Sequence, residues 1–373
     1  MNEDKATRYH RLKRASGIGA LVWSAVLLAG LMVTGASIAL RDAAEWLAAA
    51  SSAAVARPAV VVMVYVALLT IVNELGGLVL EFYGGFVIER RYGLSNQTLR
   101  DWAVDQIKSL VLGLVLGGLA VSVVYFFIRR SADLWWLPAG AIFALLVVGL
   151  TNLGPVLLLP LFYSVKPLNR ESLRVRLTTL ADRAGARVLG AYEWGLAAKT
   201  KKANAALAGI AGTRRILVSD TMLADYSEDE IEAVLAHELA HHVHGDIWKG
   251  LIFESALILG GFFVAARALG RFVDLAGLRG PADVAGLPLL LLAAGGVSLV
   301  MLPAAHAMSR AYERSADRFA LELTGNPAAF ISAMRRLAAQ NLAEEDPSQV
   351  IQWLFYSHPP IRERIAAAQA FKM

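Results

Sequence analysis

Apolar residues in this chain fall into long unbroken runs set apart by polar stretches, a spacing that predicts helices crossing a bilayer. Six runs are long enough: Ile18–Leu40, Val60–Leu80, Leu110–Ile128, Leu134–Leu159, Leu251–Leu269 and Leu287–Ala305. The first has the basic start and small residues of a signal peptide. Its apolar run is too long for one, so an uncleaved span is expected. Between the fourth and fifth runs the pattern shortens. Glu171–Ala184 puts Leu173, Leu177, Leu180 and Ala181 on one side and reads as a helix. Val188–Leu196, Asn204–Ile210 and Arg215–Val218 read as short strands, with turns around Lys199–Lys202 and Gly212-Thr213. They predict a small antiparallel sheet, whose open edge is either a scaffold or a place for an extended peptide. Ser227 and Glu230 then form a capping box ahead of an apolar stripe at Ile231, Val234, Leu235, Leu239 and Val243, which predicts a further helix.

Composition agrees with the membrane reading. Of 373 residues 57% are hydrophobic, and the mean hydropathy of +0.51 exceeds that of ordinary soluble domains. The expected fold is mainly α, a polytopic helical membrane protein with a small sheet. Residues 1–165 should form an N-terminal transmembrane region of about four spans, and 166–373 a second region with two more. No cysteine is present, which excludes disulfides and thiolate metal sites. Lys5, Arg8, Arg11, Lys13 and Arg14 precede the first run and should remain cytoplasmic. Alternation then puts Arg90, Arg91, Arg100, Lys108, the stretch 166–246 and the tail after Ala305 on that same side. The net charge of +5 needs only this bias and no nucleic acid. Asn73, Glu74, Asn152 and Glu254 lie within or beside apolar runs, and either face a wet interior or bond between helices. The cluster Lys199, Lys201 and Lys202 is a solvated turn or a contact for anionic lipid.

The chemistry concentrates in the ten residues from His237 to Asp246, which contain His-Glu-x-x-His. Residues four apart on a helix share a face, so His237 and His241 can offer two imidazole nitrogens to one zinc, with Glu238 beside them as a base. A catalytic zinc needs a third protein ligand. Ile247 occupies the position where one class of sites has a third histidine. His242 points about 100° away, and His244 reads better as a helix-end residue before Gly245. Glu313 and Asp317, four apart within Ser309–Asp317, suit a ligand carboxylate and a second carboxylate that bonds the outer nitrogen of a ligand histidine. The competing reading is a face salt-bridged to Arg310, Arg314 and Arg318.

Near the C-terminus, Tyr356-Ser357-His358-Pro359-Pro360 precedes a helix that carries Arg364. A histidine before two prolines is held in extended backbone. It could bond the oxyanion of a tetrahedral intermediate, with Arg364 adding positive charge. The prolines could equally mark a helix start.

Taken together, His237-Glu238-x-x-His241, Glu313-x-x-Ala316-Asp317 and His358-Pro359-Pro360 with Arg364 resemble the M48 metallopeptidases. Phe82–Leu94, Asp105–Lys108, Lys201–Ala205 and Arg215–Thr221 resemble the Ste24 type I CAAX prenyl proteases, and the likeness extends past the first span. The resemblance implies a gluzincin-type membrane peptidase with one Zn2+ per chain on His237, His241 and Glu313, and Glu238 as catalytic carboxylate. It further implies that Asn204 leads the substrate-binding strand and that His358 and Arg364 contact substrate or transition state. Ala240 and Ala206 depart from the family's usual glycine and aromatic residue. The Ala- and Arg-rich composition looks bacterial, which points to an inner membrane with the zinc on its cytoplasmic side. Its partners would be a peptide or membrane-protein substrate and the lipid bilayer. Alternatives are an HtpX-like quality-control protease and a non-catalytic zinc-binding scaffold. A transporter is disfavoured, since no broken spans recur in two halves.

Overall fold

The computed structural model describes residues 4–49, 57–209 and 213–372. In chain order the helices begin with α1 (Lys5–Val33), α2 (Ala36–Ala49) and α3 (Arg57–Glu81). A π-helical turn, Phe82–Val87, joins α3 to α4 (Ile88–Arg91), and α5 (Leu99–Arg130), α6 (Trp136–Leu157) and α7 (Leu159–Phe162) follow. The next segment holds β1 (Ser164–Pro167), α8 (Glu171–Arg183), β2 (Ala191–Gly195), β3 (Ala205–Ala208), β4 (Arg215–Ser219) and α9 (Asp220–Asp225). Then come α10 (Glu228–Val243), α11 (Asp246–Phe272), α12 (Leu287–Thr324), α13 (Pro327–Asn341), α14 (Gln349–Phe355) and α15 (Ile361–Ala370).

Six of these helical stretches are long and apolar enough to cross a membrane, matching the six apolar runs. The first run is corrected at its end. It was expected to continue to Leu40, but α1 stops at Val33 and Gly35 takes φ +73°. Glycine reaches that region without a Cβ clash, so the chain turns there at little cost. The following α2 carries Arg41, which could not sit in lipid alone. It is buried against Asp283 at 2.6 Å, beside a Ser37–Tyr65 hydroxyl contact of 2.6 Å. Thus α2 packs onto the bundle through these polar contacts together with apolar ones from Ile38, Leu40 and Ala44.

The π-helical turn has a local cause. Lys13 Nζ donates to the Gly84 carbonyl at 2.9 Å and Ser16 Oγ to the Leu80 carbonyl at 2.8 Å. A Cβ on Gly84 would lie 2.5 Å from Ser16 Oγ, so α1 can approach only a glycine there. Higher in the same helix pair, Ser24 Oγ donates to Asn73 Oδ1 at 2.9 Å. Asn73 therefore bonds between helices, and Asn152 bonds the Val148 carbonyl of its own helix at 2.7 Å. Glu254 lines a largely apolar cavity of about 560 Å3 among α5, α6, α11 and α12.

The sheet is mixed, which corrects the antiparallel expectation. Its order is β1-β2-β4-β3, with β2 and β4 parallel and the other two pairs antiparallel. The segment after β2 is held off to the side. Asp220 Oδ1 accepts from the backbone of Leu196 and Ala197, both at 2.9 Å, and Lys201 N donates to the Leu94 carbonyl at 2.9 Å. That displacement sets β3 one strand's width from β2, and β4 enters the gap. β1, which the strand pattern did not predict, extends the sheet on the other side. The expected strands are observed with shorter or shifted ends, and Ile210 and Gly212 lie outside the described residues. Beneath the sheet Leu173, Leu177 and Leu180 of α8 meet Ile216, Val218, Ile231, Leu235 and Phe330 in one buried core. Each fully buried leucine contributes about 1.5–3 kcal/mol. This core fixes α10 against the sheet.

Candidate active site

α10 begins as its sequence dictates. Ser227 N donates to Glu230 Oε2 at 2.8 Å and Glu230 N to Ser227 Oγ at 3.3 Å, the reciprocal capping box. Glu230 is also anchored from α13 by Ser332 Oγ at 2.5 Å and Arg336 Nε at 2.8 Å. Burial pushes its carboxyl pKa up, and the bonds from Ser332, Ser227 and Arg336 more than offset that, leaving it below the ordinary value.

Two turns on, His237 and His241 project from α10 towards Glu313 of α12. One ligand atom from each of the three lies within 4.8 Å of the other two. α12 is a single helix of 38 residues, so Glu313 sits on the direct continuation of the last span. The buried Glu313 Oε2 has no hydrogen-bond partner, although it lies 3.2 Å from His237 Nε2. Two imidazole nitrogens and an orphaned carboxylate oxygen converging in a buried place are the donor set of a metal ion such as zinc.

The outer nitrogens confirm which atoms are free. His237 Nδ1 lies 2.9 Å from Asp317 Oδ1 and His241 Nδ1 lies 3.2 Å from Asp246 Oδ2. A carboxylate only accepts, so each Nδ1 is held as a donor to its outer carboxylate and each Nε2 is the nitrogen turned towards Glu313 and a metal. Asp317 was anticipated for this contact; Asp246 was not. Its signal is in the sequence, as the Gly245-Asp246 pair that ends the histidine-rich stretch. Gly245 takes φ +67°, closes α10 and starts α11 with Asp246 turned back on His241.

Burial opposes charge on His237, but Asp317 and Glu313 overcome it and push its pKa up to about 9, so a metal ion binding at Nε2 would displace a proton from it. Burial also holds the Glu238 carboxyl above its ordinary value, the direction that suits a proton carrier. Of the other singled-out histidines, His244 is the C-cap of α10, within 3.3 Å of Ser315 Oγ, and stands outside the cluster. His358 joins the site, its Nε2 3.3 Å from Glu313 Oε1 and its Nδ1 2.9 Å from Ser357 Oγ. Arg364 is buried and forks onto Asp317 through Nε at 2.8 Å and Nη2 at 2.5 Å, with Nη2 4.0 Å from Glu313 Oε2. Arg310 was weighed as a partner of these carboxylates. It instead donates to the Tyr356 carbonyl at 2.7 Å, holding the segment before His358. Asn204 is exposed beside the metal helix, at the entry to β3.

A helical membrane bundle continuous with a His-His-Glu cluster defines a membrane-embedded metalloprotease. The chain belongs to peptidase family M48, whose sequence profile matches residues 167–372, while residues 2–164 match the CAAX prenyl protease N-terminal region with its five membrane helices. Among the described residues that region has four helices long and apolar enough to span a membrane and the shorter α2. The chain is similar to the uncharacterized metalloprotease YhfN of Bacillus subtilis, 33% identical over 309 residues that cover 82% of this chain and 72% of that protein. It is 28% identical over 326 residues to CAAX prenyl protease 1 of Saccharomyces cerevisiae, covering 81% and 71%. Its fold is like that in the crystal structure of S. mikatae Ste24p, with a TM-score of 0.84, 24% identity and coverage of 98% and 87%.

Proposed function

We propose that this protein is a zinc endopeptidase of a bacterial inner membrane, with residues 1–165 as its transmembrane region and 166–373 as its peptidase region. The observation that carries the reading is the convergence of His237, His241 and Glu313, with both histidines oriented by carboxylates. These three residues would hold one zinc, and a structural zinc would normally have a fourth protein ligand. When bound, zinc lowers the pKa of a water and polarises the scissile carbonyl. Glu238 takes the proton from that water and delivers it to the leaving amine. His358 donates through its imidazole to the developing oxyanion. Arg364, engaged with Asp317, acts as a positioning residue for His237. The substrate, a peptide or membrane protein, lies extended along β3 with Asn204 at the start of that edge.

The zinc site sits on the cytoplasmic side, as the basic segments before α1 and after α3 require. Reporter fusions after Lys166 and at the C-terminus should register cytoplasmic, and an outer-side signal would overturn that orientation. The catalytic reading is tested with purified protein. Peptide hydrolysis should need zinc and stop with a chelator, and Glu238→Gln should keep zinc while losing most turnover. Chelator-resistant hydrolysis, or full activity in Glu238→Gln, would refute it.

A further inference from the structure

β3 ends the sheet. Its inner side pairs with β4 over Ala205–Ala208, and among the described residues no strand pairs with its outer side. It packs against α10, the helix that carries the two histidines. A peptide added to this edge would send alternate side chains to opposite faces of the sheet, with same-face residues about 7 Å apart. One face is closed. Ala205 and Leu207 turn there into the core with Ile216 and Val218.

The other face is only partly covered: Ala206 and Trp194 are half-buried, whereas Ala208 and Leu217 are buried. It carries Ala206 and Ala208, with Leu217 opposite Ala206 in the register and Trp194 on β2. Between it and the end of α6 and α7 lies a cavity of about 360 Å3, with Leu158 and Phe162 on the far wall. No charged side chain lines the cavity. The Trp194 indole N–H, on its wall, is buried without a partner. A void of this size inside a core forfeits packing contacts and is costly. Beside an unpaired strand edge it is instead accessible to a side chain arriving from outside.

We propose that this cavity is a specificity subsite, taking a large apolar side chain of a peptide held as an added strand on β3. The inference rests on the endopeptidase reading and deepens it by naming what the enzyme selects. Ala206 controls entry, because it is half-exposed on the edge strand and also lines the cavity. A charged side chain would lose its hydration there with nothing to replace it. A small one would leave the cavity empty.

The test is a competition in one reaction, using full-length zinc-loaded protein in detergent. Two labelled peptides differ only in Phe or Ala at one position, and that position is moved residue by residue around the scissile bond. At one position wild type should favour Phe. Ala206→Phe should cut that preference about 10- to 100-fold, the range over which a filled apolar pocket discriminates. At the same position a second pair, Phe against Trp, should shift towards Trp in Phe162→Ala. A ratio of two substrates is independent of how much enzyme is folded, and Ala206→Val supplies a smaller change if the phenylalanine variant is unstable. If wild type cleaves but no position responds to Ala206→Phe, Ala206→Val or Phe162→Ala, the subsite is overturned and a bilayer acyl chain is the better occupant. If zinc-loaded wild type cleaves no peptide at all, the endopeptidase reading fails first and the subsite falls with it.

Discussion

Asp246 Oδ2 lies 3.2 Å from His241 Nδ1, and it does for His241 what Asp317, 2.9 Å from His237 Nδ1, does for the other ligand histidine. The two carboxylates reach the site from different helices, α11 and α12. Each orients one ring, and together they leave the two Nε2 atoms facing Glu313.

Asp246→Asn and Asp317→Asn should each weaken zinc affinity or activity by roughly 10- to 100-fold. Their stabilities should differ. Asp317 also compensates the buried Arg364, so its loss leaves a buried charge unpaired, whereas Asp246 is met by the half-exposed Lys249 at 3.1 Å. Zinc titration followed by thermal melting separates the two effects. Equal melting temperatures would refute the assignment of Arg364 to Asp317.

His237→Ala, His241→Ala and Glu313→Ala should each lose zinc or hold it far more weakly, since two protein ligands remain. Metal analysis after gel filtration reads this directly. Stoichiometric zinc in Glu313→Ala would mean that the third ligand is another residue.

Gly245→Val should destabilise the protein more than Gly245→Asn. Nothing lies within 4 Å of a Cβ placed there, so the penalty comes from the backbone at φ +67° alone. That penalty is about 1–2 kcal/mol for an ordinary L-residue and less for Asn. Because the same turn places Asp246, zinc affinity should fall in the same order. Identical stabilities in a denaturation series would count against the left-handed turn.

Asp283→Ala should lower stability by about 1–3 kcal/mol, because Arg41 would keep only the exposed Asp42 and the backbone N–H groups of Arg279 and Ala285 would lose their acceptor. This pair is distant in the fold from the histidines, so zinc stoichiometry in the folded fraction should not change. Melting in detergent with metal analysis of the same sample tests both halves.

The Glu230 anchor predicts a pH dependence with a definite sign. Its folded pKa is depressed, so its stabilisation is complete above the ordinary carboxyl pKa of about 4.3 and is lost as pH falls through the folded value. The stability gap between wild type and Glu230→Gln should therefore be widest near neutral pH and shrink in acid. A gap that is constant from pH 7 to pH 3 would show that Glu230 acts through shape alone.

Features that depend on near neighbours along the chain are legible in the residues alone. The i, i+4 spacing of His237 and His241 and the box of Ser227 and Glu230 have a local cause and appear as expected, as do the six apolar runs apart from the early end of the first at Val33. Glu313 and Asp317 were legible because their own spacing repeats that of the histidines. Other features depend on partners far away in sequence and emerge only from packing. Arg364 was read as a charge for the oxyanion, yet it lies on Asp317, because which carboxylate a long side chain meets is set by how α12 and α15 pack. The sheet became mixed because contacts to residues 94–96 and to Asp220 displace the segment before β3, and strand pattern carries no information about neighbours. Asp246 stood in plain view beside the motif. Its role emerged only when the turn at Gly245 folded α11 back on His241, a direction set by one backbone angle and the packing of two helices.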